Sequence, residues 1–320
     1  MKHLLPPSGA PPRFFRIPVL GALLILLALI PGCVSPRGKV KVSVRHQIQQ
    51  VVELPMLSKG GIPLVQVHVN GRGPAWFMVD TGCAMDIVSS RLAQELQLRT
   101  LGAARFNGTG EGSMHEGMTV KVGSALYQPD HVSSADFSAF EKAINHRVHG
   151  ILGQFFFRCF VVELDYSKKV LRLHPPQGFN HGGQPVPIRF RGFAPTVEGV
   201  IELQSLSPTR GSFLIDTGAN AALRLTDRFI RAHRLEKLTA KSAPFGVVML
   251  HGTMKTHSAH GVRLAVGRVS VSSLLVTLGG HSGQESDAWV DGKIGGDFLR
   301  HFRVVIDYPH KRLWLAKPSR

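Results

Sequence analysis

Gly150-Ile-Leu-Gly-Gln-Phe-Phe-Phe-Arg-Cys-Phe-Val-Val-Glu-Leu-Asp-Tyr-Ser-Lys-Lys-Val-Leu-Arg-Leu173 can be laid without a gap on Gly292-Lys-Ile-Gly-Gly-Asp-Phe-Leu-Arg-His-Phe-Arg-Val-Val-Ile-Asp-Tyr-Pro-His-Lys-Arg-Leu-Trp-Leu315. Gly150, Gly153, Phe156, Arg158, Phe160, Val162, Asp165, Tyr166, Lys169, Leu171 and Leu173 all recur at one constant offset. So many identities at one spacing mark a duplicated unit. Each copy reads as a hairpin, with an apolar strand (160–164; 302–306), a turn begun by Asp165 or Asp307, and an alternating strand (170–173; 312–315). Short helices fit the stretches after Gly150-Ile-Leu-Gly and Gly292-Lys-Ile-Gly.

Working upstream, each copy opens with alternating apolar residues suited to half-buried strands, Leu64-Val-Gln-Val-His-Val and Gly199-Val-Ile-Glu-Leu. Turns follow, at Asn70-Gly71 in the first copy and at Ser207-Pro208-Thr209-Arg210-Gly211 in the second. Beyond them lie the buried strands Ala75-Trp-Phe-Met-Val and Ser212-Phe-Leu-Ile, which run straight into Asp80-Thr81-Gly82 and Asp216-Thr217-Gly218. Helical patterns follow at 90–98 and 226–235. The chain therefore reads as mostly β in two homologous lobes, spanning 61–176 and 196–320. The Pro- and Gly-rich, aperiodic stretch 177–195 reads as a linker between them.

The paired Asp-Thr-Gly loops, each behind a strand of large apolar residues and each followed downstream by a loose match to an apolar pair and glycine (Arg147-Val-His-Gly150; Trp289-Val-Asp-Gly292), resemble the active-site loops of pepsin-like and retroviral aspartyl proteases. The likeness covers nearly all of the chain beyond its N-terminus and is nearest to bacterial retropepsin-like domains, here two in tandem. It implies two retropepsin-like β-barrel lobes related by a pseudo-twofold axis, working as a monomer. It also implies an aspartic endopeptidase in which Asp80 and Asp216 are the catalytic pair. Two facing carboxylates share one proton, because like charges drive one pKa up and the other down. The ionised partner draws a proton from water attacking the peptide carbonyl, and the protonated one donates to the oxyanion.

The same resemblance gives Thr81 and Thr217 the role of locking the two loops together across the axis, while Gly82 and Gly218 admit backbone amides to the carboxylates. It places substrate-covering flaps at Gly108, Thr109, Gly110 and Gly112 in the first lobe and at Gly246 and Val247 in the second. Cys83 and Ala219 follow the two glycines where the family commonly has serine, which implies a pH optimum less acidic than that of digestive pepsins. Ala84 departs from the acidic residue of the viral enzymes, whereas Asn220 keeps a polar side chain. Asp86 is expected outside the cleft as a solvated or helix-capping carboxylate. Peptide or protein is the substrate class, with no metal and no cofactor. The alternative function is an inactive envelope lipoprotein that uses the same cleft for binding.

Residues 1–32 read as an address rather than as core. Lys2, Arg13 and Arg16 precede an apolar run (19–30) too short to cross a bilayer comfortably, which breaks at Pro31-Gly32-Cys33. A small residue ahead of cysteine resembles a lipobox, so Cys33 is the expected lipidation site, followed by a tether over 33–60; simple secretion and an uncleaved anchor stay open. The expected location is the cell envelope, facing the periplasm or exterior. The formal charge of +17 favours anionic membrane or envelope surfaces. Nucleic acid is not expected, because no zinc finger, RNP-type motif or long basic helix accompanies the charge. Cys83 and Cys159 are either a disulfide or two buried thiols. His251, His257 and His260 lack the carboxylate or cysteine companions of a zinc site.

Overall fold

The computed structural model describes residues 45–106, 110–203, 206–239, 242, 244–249, 252–280 and 285–318. Cys33, with the leader and most of the tether, lies outside them, as do Gly108, Thr109 and His251. Among the described residues, no helix is long and apolar enough to cross a membrane.

Eight strands carry the repeated framework. In the first lobe they are β1 (Arg72–Val79), β2 (Ile87–Ser89), β3 (Val132–Ala135) and β4 (Gly150–Leu152). In the second they are β5 (Leu206–Ile215), β6 (Leu223–Leu225), β7 (Val269–Leu278) and β8 (Gly292–Ile294). β4 pairs parallel to β1 and antiparallel to β2, and β2 pairs parallel to β3. β8, β5, β6 and β7 repeat that pattern strand for strand. Their residues explain the burial: Phe77, Val79, Val88, Leu152, Phe213, Leu223, Leu225 and Ile294 are all sealed from solvent at 1 % exposure or less. Short parallel strands buried on both faces require such apolar runs.

Local signals set the helices that follow. Ser89 caps Ser90–Glu95 by accepting from the Leu92 amide, and Thr226 caps Asp227–Ala232 through the Phe229 amide. Gln154–Cys159 and Gly296–Leu299 form after the two glycine-flanked strands. Asn70 and Gly71, both at positive φ, make the expected hairpin turn. The second expected turn falls elsewhere. Ser207 to Gly211 lies within β5, paired with Ala194–Leu203, because that hairpin runs on until Leu206 meets Leu203. Pro208 is tolerated there beside an irregularity in the pairing between Ile201 and Leu203.

The C-terminal hairpins of the two copies lie side by side. Val161–Asp165 pairs antiparallel with Arg303–Asp307, and Glu163 faces Val305, its own equivalent in the repeat. An antiparallel ladder in which equivalents face each other carries a local twofold axis, here between those two residues. Val52–Lys59 and Val186–Pro187 extend this sheet at its two ends. The 177–195 segment is thus not bare linker, since Arg189–Arg191 also forms a strand against Ala194–Leu203. Asp165 and Asp307 do begin turns. Asp165 accepts from the Lys168 amide, and Asp307 accepts from the His310 amide and from Arg312.

Asp86 caps a helix, but it is not solvated. It is fully buried, accepting from the Tyr127 hydroxyl at 2.7 Å and from the amides of Gly153 at 2.8 Å and Phe156 at 3.5 Å, at the start of Gln154–Cys159. In the second lobe the Gly295 amide donates instead to the carbonyl of Ala222. Burial pushes the Asp86 carboxyl up to about 6, against the opposing pull of its hydrogen bonds. Such a group binds its proton more tightly folded than unfolded. Its stabilising contribution is therefore full below the unfolded value of about 4 and is lost as pH rises through the folded one. Thermal unfolding of the parent and of Asp86→Asn should diverge over that window, the parent losing stability relative to the variant as pH rises. Parallel pH profiles would remove Asp86 as the cause.

Candidate active site

β1 and β5 end where their last residues dive between the lobes, and the next residues are Asp80-Thr81-Gly82 and Asp216-Thr217-Gly218. Each loop is fastened to its own lobe by the same backbone bond, Asp80 N–H to the Leu152 carbonyl at 3.0 Å and Asp216 N–H to that of Ile294 at 2.9 Å. Cys83 and Ala219 then donate back to the carbonyls of Asp80 and Asp216.

The threonines tie the two loops to each other. The Thr81 amide donates to Thr217 Oγ1 and the Thr217 amide to Thr81 Oγ1, both at 3.0 Å. Thr81 Oγ1 donates in turn to the carbonyl of Ile215 at 2.6 Å, and Thr217 Oγ1 to that of Val79 at 2.7 Å. Thr81 is 2 % exposed and Thr217 is fully buried. Each bond is worth about 1 kcal/mol net, but leaving any of these groups unpaired in the interior costs about 1–3 kcal/mol. Only a β-hydroxyl of this length satisfies both an amide and a carbonyl of the opposite loop. Tyr308 adds a hydroxyl to the Thr81 carbonyl at 3.3 Å.

With the loops so held, the two carboxyls converge. A Cβ added at Gly82 would stand 2.7 Å from Asp216 Cγ, and one at Gly218 would stand closer still to Asp80 Cγ. Glycine is required at both places by this approach. Asp216 is 9 % exposed and Asp80 is partly exposed. Burial, then the negative charge of Asp216, raises the Asp80 carboxyl well above the ordinary range; amide hydrogen bonds from Gly82 and Gly218 pull the other way, and a hydrogen bond to Asp216 adds to the rise. The Gly82 amide donates to Asp80 Oδ1 at 2.7 Å. This is the environment of a carboxyl that keeps its proton.

The walls of the site differ between lobes. Cys83 packs against an apolar cluster that includes Met78, Ile87, Phe137, Phe140 and Ile151, and its Sγ donates to the Met85 carbonyl. It is a free thiol, as is the buried Cys159. Gly110 and Gly112 lie on strand Gly110–Glu116, which pairs with Arg99–Phe106 as a hairpin. Gly246 and Val247 lie on Phe245–Met249, paired with the start of Gly252–Val266. That second-lobe hairpin reaches across to touch helix Ser138–Ile144 of the first lobe. Among the described residues no group of His, Cys, Asp or Glu could hold a metal ion; His257 Nδ1 instead contacts the Ser242 carbonyl, and His260 is exposed.

Asp86, Tyr127 and Tyr308 were not readable as supports, because their partners are distant in sequence. Arg224, Lys293 and Asp287, a buried charged cluster beside Asp216, also went unseen. The repeat did carry one signal for it, since Lys293 stands where the first copy has Ile151.

Residues 65–158 match the family model described as gag-polyprotein putative aspartyl protease. No curated protein matches the chain significantly. Among solved structures, basic 7S globulin from soybean is similar over 84 % of this chain and 95 % of its own, at 14 % identity and a TM-score of 0.49. The aspartic proteinase from Irpex lacteus is similar over 84 % of this chain and 98 % of its own, at 16 % identity and a TM-score of 0.53. With a family match to the first lobe and a two-lobed structural counterpart over most of the chain, this protein has the fold of an aspartic protease.

Proposed function

We propose that the chain is an aspartic endopeptidase whose catalytic carboxyls are Asp80 and Asp216, one from each lobe. The observation that carries this is the convergence of the two carboxyls, which leaves no room for a Cβ on either facing glycine. A structural turn would have no need to pack a buried acid against the equivalent acid, at a cost in repulsion and desolvation. Asp80, raised by burial and by Asp216, holds the shared proton. It donates to the substrate carbonyl oxygen as the ionised Asp216 takes a proton from the attacking water, so that a tetrahedral adduct forms without an acyl-enzyme. Collapse of the adduct returns a proton to the leaving amine. The first-lobe hairpin that carries Gly110 and Gly112 and the second-lobe hairpin at Gly246 and Val247 are the covers over bound peptide. If Cys33 is lipidated, as the N-terminal reading proposes, the cleft works at a membrane surface to which the excess positive charge also draws it.

Cleavage of an unfolded peptide library by the full chain tests the assignment. Asp80→Asn and Asp216→Asn should each lower cleavage by a factor on the order of 10³ or more while the protein stays folded, because the pair acts as a unit. A parent that binds peptides but cleaves none would favour the non-catalytic envelope-binding reading.

The pH profile has a signed expectation. Activity needs the proton on Asp80, so it should fall as pH rises through that group's raised pKa. The basic limb should lie well above the ordinary aspartate value of about 4. A limb at that ordinary value would contradict the assignment.

Gly218→Ala should abolish cleavage, since its Cβ collides with the Asp80 carboxyl. Gly178→Ala, with open space around its Cβ, serves as a control and should retain activity at a modest cost in stability from its positive φ, about 1 kcal/mol. Initial rates and thermal melts on both variants separate the two effects.

A further inference from the structure

The two lobes present the same cross-strand row with different chemistry. In the first lobe the row running β3–β2–β4–β1 is Ser133, Ile87, Ile151, Met78. In the second, β7–β6–β8–β5 gives Thr277, Arg224, Lys293, Leu214. Residues paired across neighbouring strands share one face of the sheet. The outer positions are conservative between lobes, hydroxyl for hydroxyl and apolar for apolar. At the two central positions a buried apolar pair has become a buried cationic pair, with Arg224 at 7 % and Lys293 at 5 % exposure.

One carboxylate serves both cations. Asp287 Oδ1 lies 2.5 Å from Arg224 Nη2 and 3.2 Å from Lys293 Nζ. Arg224 Nη1 also donates to the Gly280 carbonyl at 3.1 Å and approaches Met254 Sδ at 3.9 Å. Among the described side chains Asp287 is the one carboxylate within salt-bridge distance of either cation, and the next negative charge that Lys293 feels is that of Asp216. Two cations held out of water by one carboxylate are incompletely paired, and a second carboxylate at the cluster offsets that cost. Next in the row, Thr277 Oγ1 is buried and has no hydrogen-bond partner, although its residue is only 8 % exposed.

The cluster also belongs to the cleft. Lys293 is close enough to Asp216 to feel its charge. Met254, against Arg224, pairs with Val247 at the base of the second-lobe hairpin. The corresponding first-lobe row packs with Cys83, next to the Asp80 loop. The opening is retained at Asp287, whose side chain is 17 % exposed. A peptide side chain laid between the Asp216 loop and that hairpin would meet this cluster.

We infer that this second-lobe pocket takes an acidic side chain of the substrate, its carboxylate completing the Arg224–Lys293–Asp287 cluster, while the equivalent first-lobe pocket takes an apolar one. The inference rests on the cleft being a peptide site, and it deepens that reading by naming the substrate class as acidic peptides. Lys293 and Arg224 are specificity residues and take no part in proton transfer.

The test separates binding from cleavage. Peptides of one extended backbone, with Glu, Gln or Leu moved through successive positions, are titrated into the full chain carrying Asp80→Asn and read by fluorescence anisotropy. The same set is offered to the unsubstituted chain for cleavage. At one position Glu should bind about ten- to a hundredfold more tightly than Gln, the span expected of a buried charge-assisted contact. Lys293→Met, which keeps the Arg224–Asp287 pair and mimics the apolar residue of the first lobe, should bring Glu and Gln to within about twofold of each other. Equal binding of Glu and Gln at every position, or no binding by any peptide, overturns the inference without need of the variant, as does a preference that survives Lys293→Met. Selective binding of Glu peptides with no cleavage of any would uphold the inference while removing the protease assignment.

Discussion

Everything at the centre of this molecule depends on two threonine hydroxyls, each of which must satisfy an amide and a carbonyl of the opposite lobe at once. The four bonds are mutually conditional. Moving one loop away would strand two donors and two acceptors in each lobe, in a region that water does not reach, so the arrangement is cooperative rather than a sum of weak links. Because the threonines follow the aspartates directly, fixing one pair fixes the other. The carboxyls are held in an approach that their own charges resist.

The resistance has to be met elsewhere, and the chain meets it with the duplicated hairpins. Their antiparallel junction opposes Glu163 to its equivalent Val305, so sheet hydrogen bonding holds the same relation between the copies that the threonines hold at the site. Tyr308 links the two regions, since it follows the turn-starting Asp307 and its hydroxyl reaches the Thr81 carbonyl. Its ring also packs near Phe157 and Phe190, at 5.1 and 4.9 Å between centroids. One aromatic side chain thus ties the hairpin sheet to the Thr81 loop.

Much of this was legible because duplication writes a structural constraint twice. The gapless repeat from Gly150 and Gly292 located both hairpins and both short helices, and the paired Asp-Thr-Gly loops located the centre, while the short strands at Gly150–Leu152 and Gly292–Ile294 went unread. What could not be read was long-range pairing between unlike residues. Asp86 reads as an ordinary polar residue after a loop, and only the fold brings Tyr127 and Gly153 to it. The turn expected at Ser207 to Gly211 failed for a related reason. Turn-forming residues are permissive, and the cross-strand partners Val200, Ile201 and Leu203 override them by continuing the ladder.

The departures from symmetry are as informative as the repeat. A perfectly twofold site would make the two carboxyls equivalent, and nothing would say which holds the proton. Here the first-lobe row beside Asp80 is apolar, while the second-lobe row brings Lys293 into the field of Asp216. Low-polarity surroundings favour the neutral acid. The same substitution of Lys293 and Arg224 for Ile151 and Ile87 thus gives the two equivalent loops different surroundings. On the proposed reading, the direction in which a peptide lies across the cleft and the direction in which the proton is handed on are set by one difference between the lobes.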